Sequence, residues 1–215
     1  MSDSKLNCHR YRVFFTKYDR ARFIGHLDLQ DLLARAIKRA KLPIAYSQGF
    51  NPHQLMSIAL PLSLGMTGKA EIFEIYLTQQ TEPRQIMDSL NPQMPAGMAI
   101  ISVQQVANTG KSAAGLVHKA TYRITFPNLG KLNLAQMMGE QEMLVTTKSK
   151  KGTKIKDILP EIFHIKQDGD AIVATLAAGS DKNLKPQLLA EYIQSYIKTS
   201  FAPHQISYER TELIL

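Results

Sequence analysis

Between residues 10 and 16 the chain alternates, with Tyr11, Val13 and Phe15 on one side and Arg10, Arg12, Phe14 and Thr16 on the other. A period of two predicts a strand. From Asp28 the period changes: Leu29, Leu32, Leu33, Ala36, Ile37 and Ala40 recur at helical spacing, with Asp28 placed to cap the helix and Pro43 to stop it. Lys38, Arg39 and Lys41 fall in the last turns, where positive charge suits the helix dipole. Residues 55–64 read as an extended apolar stretch interrupted by Pro61, and Gly65 with Gly68 marks a turn. Residues 70–78 alternate again, residues 82–90 carry helical spacing with Pro83 in the first turn, and residues 98–106 read as a strand. Strand, helix, strand, strand, helix, strand within about 100 residues is the split βαβ, ferredoxin-like order.

Residues 108–115 are small and polar, which predicts a linker or mobile loop. Their Gly110-Lys111-Ser112 triplet lacks the second glycine of a phosphate loop, because position 105 is Gln. Beyond it the order partly repeats: a strand over 120–126, a short helix over 132–138, a strand over 143–149, a short element over 155–159 ending at Pro160, a hairpin over 161–177 turning at residues 167–170, a helix over 184–199 and a final strand over 206–215. The expected class is α+β, as two ferredoxin-like halves with antiparallel sheets: 1–107, a linker over 108–118, and 119–215.

Composition narrows the chemistry. Of 215 residues, 44% are hydrophobic and 20% charged, and no apolar run approaches the roughly 20 residues of a spanning helix. The N-terminal residues are polar and lack the apolar core of a signal peptide, so the expected location is cytoplasmic, away from the membrane. Cys8 is the single cysteine, so this chain by itself makes no disulfide, multi-cysteine zinc site or three-cysteine iron–sulfur cradle. Twenty-six Lys and Arg against eighteen Asp and Glu favour polyanionic partners. In the first fifty residues ten cations face only four acids, and a second cluster, Lys148, Lys150, Lys151, Lys154 and Lys156, surrounds Gly152. The same runs also fit an ordinary solvated face.

Two segments flank the first helix: Arg22-Phe23-Ile24-Gly25-His26-Leu27-Asp28, and Tyr46-Ser47-Gln48-Gly49-Phe50-Asn51-Pro52-His53. Each sets a glycine beside an aromatic and a histidine. His26 either bonds the turn after Gly25 or accepts a proton or ligand; brought together, His26 and His53 would serve as acid and base in RNA cleavage or as part of a metal site. With Asp28 the one nearby acid, the ligand count does not support a metal. In the binding alternative an exposed Phe50 stacks on a base, Asn51 reads a base edge and Arg22 holds a phosphate; buried, Phe23 and Phe50 are core.

These segments, with Leu42-Pro43, the Ala59-Leu60-Pro61-Leu62 run, Gly65 and the stretch of residues 151–158, resemble the bacterial radical-SAM-linked proteins, a domain of unknown function. The likeness covers most of the chain and is strongest over residues 10–80. It implies a radical SAM protein as partner, carrying the iron–sulfur cluster and SAM, with no cofactor in this chain, and a setting in tRNA or rRNA modification. Where relatives carry Asp-Ile/Leu-Arg-Pro, this chain reads Asp157-Ile158-Leu159-Pro160, without the arginine. The expected function is an RNA-binding accessory protein, with Arg22, Phe23, Gly25, His26, Asp28, Gly49, Phe50, Asn51, His53, Lys148, Lys150, Lys151 and Lys154 as contacts. A likeness of fold to the ferredoxin-like RNA-processing endoribonucleases of CRISPR systems keeps a His26/His53 nuclease as the alternative. A protein-only adaptor is the third reading.

Overall fold

The structure is a computed structural model and describes residues 8–149 and 152–215. The class is α+β with antiparallel sheets, and the chain divides into two compact units, residues 1–117 with Leu215 and residues 118–214.

The first unit runs β1 (His9–Lys17), a 3₁₀ turn (Asp19–Phe23), α1 (His26–Arg39), β2 (Met56–Ile58), β3 (Thr67–Leu77), α2 (Pro83–Leu90), a 3₁₀ turn (Asn91–Gln93), β4 (Met98–Val106) and α3 (Ala113–Leu116). The strands lie in the order β4-β1-β3-β2, each antiparallel to its neighbour. The inward phase of β1 places Tyr11, Val13 and Phe15 with Phe73, Ile75 and Leu77 of β3 against Leu29, Leu33 and Ile37 of α1 and Ile86 and Leu90 of α2. Phe15 and Phe73 meet edge to face, centroids 5.6 Å apart. The opposite face of the sheet is buried in part, at Arg10, Ile72, Glu74 and Tyr76. There Glu74, wholly buried, accepts from Arg10 Nη2 at 2.7 Å on both carboxylate oxygens and from Arg12 Nε at 2.9 Å. A buried charge persists only when so paired.

Helix α1 begins two residues before the expected cap. Gly25 occupies the cap position in extended backbone, its carbonyl accepts the Leu29 N–H at 2.8 Å, and Asp28 lies within the first turn, where its charge suits the dipole. The helix ends before Pro43 because Lys41 turns into the left-handed region at φ 54°, with Lys41 N–H bonding Lys38 O and Leu42 N–H bonding Ile37 O. Those two bonds are the Schellman pattern, which a glycine usually completes. Strand β4 is an edge of this unit's own sheet, with a register shift at Ile101. Asn91 closes part of that edge: its amide oxygen accepts the Ile100 N–H at 2.9 Å and its nitrogen donates to the Ile100 carbonyl at 3.0 Å.

Residues 108–117 belong to the first unit, α3 among them, and the Lys111 carbonyl accepts from Arg10 Nη2 at 2.9 Å. A segment that reads as a linker by composition is thus tied to β1 through a buried guanidinium.

The second unit runs β5 (Lys119–Thr125), α4 (Leu134–Met138), β6 (Leu144–Ser149), β7 (Gly152–Asp157), β8 (Ile162–Asp168), β9 (Ala171–Ala177), α5 (Pro186–Tyr196) and β10 (Ser207–Ile214). Its sheet order is β10-β5-β9-β8, again antiparallel, while β6 and β7 pair only with each other. With that hairpin set aside, this unit repeats the first in both element order and strand order. The element expected at 155–159 is the end of β7: Ile155 faces Thr146 across the hairpin. Ala120, Tyr122 and Ile124 of β5, Ile172, Ala174 and Leu176 of β9, and Leu189 and Ile193 of α5 are buried.

Candidate functional site

Lys17 ends the inward phase of β1, so an ammonium enters where the alternation calls for an apolar side chain. It is buried, and its Nζ donates to the carbonyls of Ile24 at 2.9 Å and Arg22 at 3.3 Å. The Arg22 carbonyl also accepts the Gly65 N–H at 2.9 Å. The turn before α1 is therefore held from beneath, and Gly65, at φ 83°, supplies the left-handed geometry its own turn requires. On the outer side the Arg22 guanidinium lies over the Phe23 ring, 4.8 Å from its centroid, with both side chains exposed. Phe23 is 58% exposed and so is not core. Leu27 and Leu64 are exposed as well.

The second segment is a closed loop. Tyr46 bridges Gln54, the Ser47 N–H bonds the His53 carbonyl at 2.8 Å, the His53 N–H bonds Ser47 Oγ at 3.0 Å, and Ser47 Oγ lies 2.8 Å from His53 Nδ1. Gly49 turns the chain at φ 122°. Residues 48–53 are all exposed, and Phe50 is 106% exposed, as open as in an extended chain.

These contacts separate the two histidines' roles. His53 is engaged in closing its loop. His26 is the first residue of α1, is exposed, and its side chain makes no hydrogen bond among the described residues, so the turn is held instead by Lys17 and Gly65. No hydrogen bond joins residues 22–28 to residues 46–53. Their anchors also differ: Ala45 and Leu55 bond Tyr76 near the end of β3, whereas Lys17 pairs with Gly68 at its start. Eight residues of strand correspond to about 26 Å. Among the described residues no cluster of three or more His, Cys, Asp or Glu is placed to hold a metal ion.

Charge is distributed differently from its run along the chain. Arg10 and Arg12 share the Glu74 carboxylate and Lys17 is internal, while Arg20, Arg22, Arg35, Lys38, Arg39 and Lys41 are exposed. Arg39 bonds Gln93. In the second unit Lys154 is exposed on β7, Lys148 lies in β6 opposite Thr153, and Lys150 and Lys151 fall outside the described residues. Lys156 is ion-paired to Glu161 at 2.8 Å. In the variant Asp157-Ile158-Leu159-Pro160 stretch, Asp157 Oδ1 accepts the N–H groups of Met143 at 2.8 Å and Leu159 at 3.0 Å, fixing the end of the hairpin.

A family model described as uncharacterized protein conserved in bacteria (DUF2344) matches residues 10–186. The chain belongs to that family. The match takes in both segments flanking α1 and the β6–β7 hairpin. No curated protein matches the chain.

Lys17, Ser47 and Glu74 are the residues that motif reading passed over. Lys17 carried a signal, a cation in the buried phase of a strand. Glu74 belongs to no motif, and only pairing with β1 sets Arg10 and Arg12 beside it.

Proposed function

We propose that this protein is a non-catalytic RNA-binding accessory module, working beside a radical SAM enzyme in tRNA or rRNA modification. The observation that carries the binding half is the Arg22–Phe23 platform: an exposed cation stacked on an exposed aromatic, on a turn held by a buried lysine. Such a pair offers a ring or guanidinium plane for a base and a charge for a phosphate. Exposed Arg20, Arg35, Lys38 and Lys41 supply further positive charge on the same unit. The partner half rests on the motif resemblance, which puts the iron–sulfur cluster and SAM on the partner. We read both units as ferredoxin-like halves, supported by the common strand order.

The engagement of His53 with Ser47 favours binding over a histidine acid–base pair. The test is binding of labelled tRNA and rRNA fragments to the full chain across a salt series, with RNA integrity read on the same samples. The expected result is affinity that falls linearly in log salt, with intact RNA and a shallower slope for Arg22→Ala. Cleavage abolished by His26→Ala would establish the nuclease instead, and absence of RNA binding would leave the adaptor. Copurification of an iron–sulfur protein from the native bacterium tests the partner.

A further inference from the structure

We infer that the closed loop over residues 46–54 is a stacking hook for unpaired nucleobases, so that the RNA engaged is single-stranded or looped. This rests on the RNA-binding reading above and names its substrate class.

Three observations carry it. The loop is preorganised: three contacts between Ser47 and His53 and the Tyr46–Gln54 bridge fix its base, and Gly49 sets its bend. The closed base reduces the backbone entropy lost when the Phe50 ring, fully in water, meets a flat partner. The loop is also uncharged: residues 42–68 contain no Lys, Arg, Asp or Glu, within a chain of formal charge +8. A loop without charged side chains of Lys, Arg, Asp or Glu cannot hold phosphate through them, and what its tip offers is the aromatic face of Phe50, with the half-exposed Tyr46 ring at the loop's base, beside the amides of Gln48 and Asn51, donors and acceptors suited to base edges. Finally, an A-form duplex stacks its base faces inside the helix, so a lone protruding ring finds a free face only on an unpaired base.

These features predict a division of labour readable in salt dependence. Contacts from the exposed arginines and lysines weaken with salt, whereas stacking on Phe50 contributes equally at all salt concentrations.

The experiment uses the full chain, a fluorescein-labelled 12-nucleotide RNA alone and annealed to its complement, and anisotropy at four salt concentrations. Wild type is compared with Phe50→Ala and Phe50→Trp. Phe50 is solvent-exposed, so both variants are expected to fold, which matching far-UV spectra confirm. The expected result is preferential binding of the single strand, a loss of about ten-fold in Phe50→Ala with an unchanged salt slope, and retention by Phe50→Trp. Duplex binding is unaffected by either change. If wild type binds RNA but Phe50→Ala leaves single-strand affinity intact, or weakens both forms equally, the hook is refuted and the RNA-binding reading stands. If wild type binds neither form, both fall, and the loop is a contact for another protein.

Discussion

Glu74→Gln is the most demanding test of the packing described above. The carboxylate is wholly buried and receives one arginine through both oxygens at 2.7 Å and a second at 2.9 Å. Glutamine has nearly the same volume, so no cavity forms and the substitution isolates the charge. It leaves Arg10, itself 2% exposed, without its counter-charge, and turns an amide N–H₂ toward a guanidinium that can only donate. Breaking a buried pair by removing one partner costs about 3–5 kcal/mol. With an unfolding entropy of about 2.1 cal/mol/K per residue over the roughly 117 residues of the first unit, that loss corresponds to a fall of about 12–20 °C in its melting temperature. Scanning calorimetry of the full chain measures it. Amide exchange over residues 107–117 should also quicken, because Arg10 holds the Lys111 carbonyl. The triple variant Arg10→Met, Arg12→Met and Glu74→Leu should recover most of the loss, since removing the carboxylate with both of its arginine partners strands no charge. A Glu74→Gln protein melting within about 3 °C of the parent would refute the reasoning, because it would mean the guanidinium is solvated after all.

Asn91→Ala removes both side-chain bonds to Ile100, leaving a backbone donor and acceptor at a largely buried position, and should cost about 1–3 kcal/mol in urea unfolding. It also uncovers part of the β4 edge, so self-association should rise by light scattering. Tyr208 is pushed up to about 12, chiefly by burial and then by the Glu191 charge. The unfolded chain ionises this phenol near 10.0 while the folded one keeps its proton, so the unfolded state binds fewer protons between the two values. Stability should therefore hold below pH 10 and fall as pH rises toward 12, with a smaller fall in Tyr208→Phe, measured by denaturant midpoints.

The sequence by itself determined the local elements. Residues 10–16, 29–40, 82–90 and 98–106 have one period each and form the elements that period predicts, because alternation and helical spacing are set by neighbours in the chain. It also located both glycine-containing turns. Cap positions were less legible: Asp28 has the right side chain for a cap, yet Gly25 takes the position because buried Lys17 and Gly65 hold the chain before it. Tertiary structure alone decided which charges are available. Arg10 and Arg12 are charged like Arg20 and Arg22 and no motif sets them apart, but strand pairing sets them against Glu74. It likewise decided that Phe50 faces water and that His53 closes a loop, since burial and partner choice depend on residues far away in the chain. The physical reason is common to all of these: periodicity is a property of consecutive residues, whereas desolvation and pairing are properties of whatever the fold brings alongside.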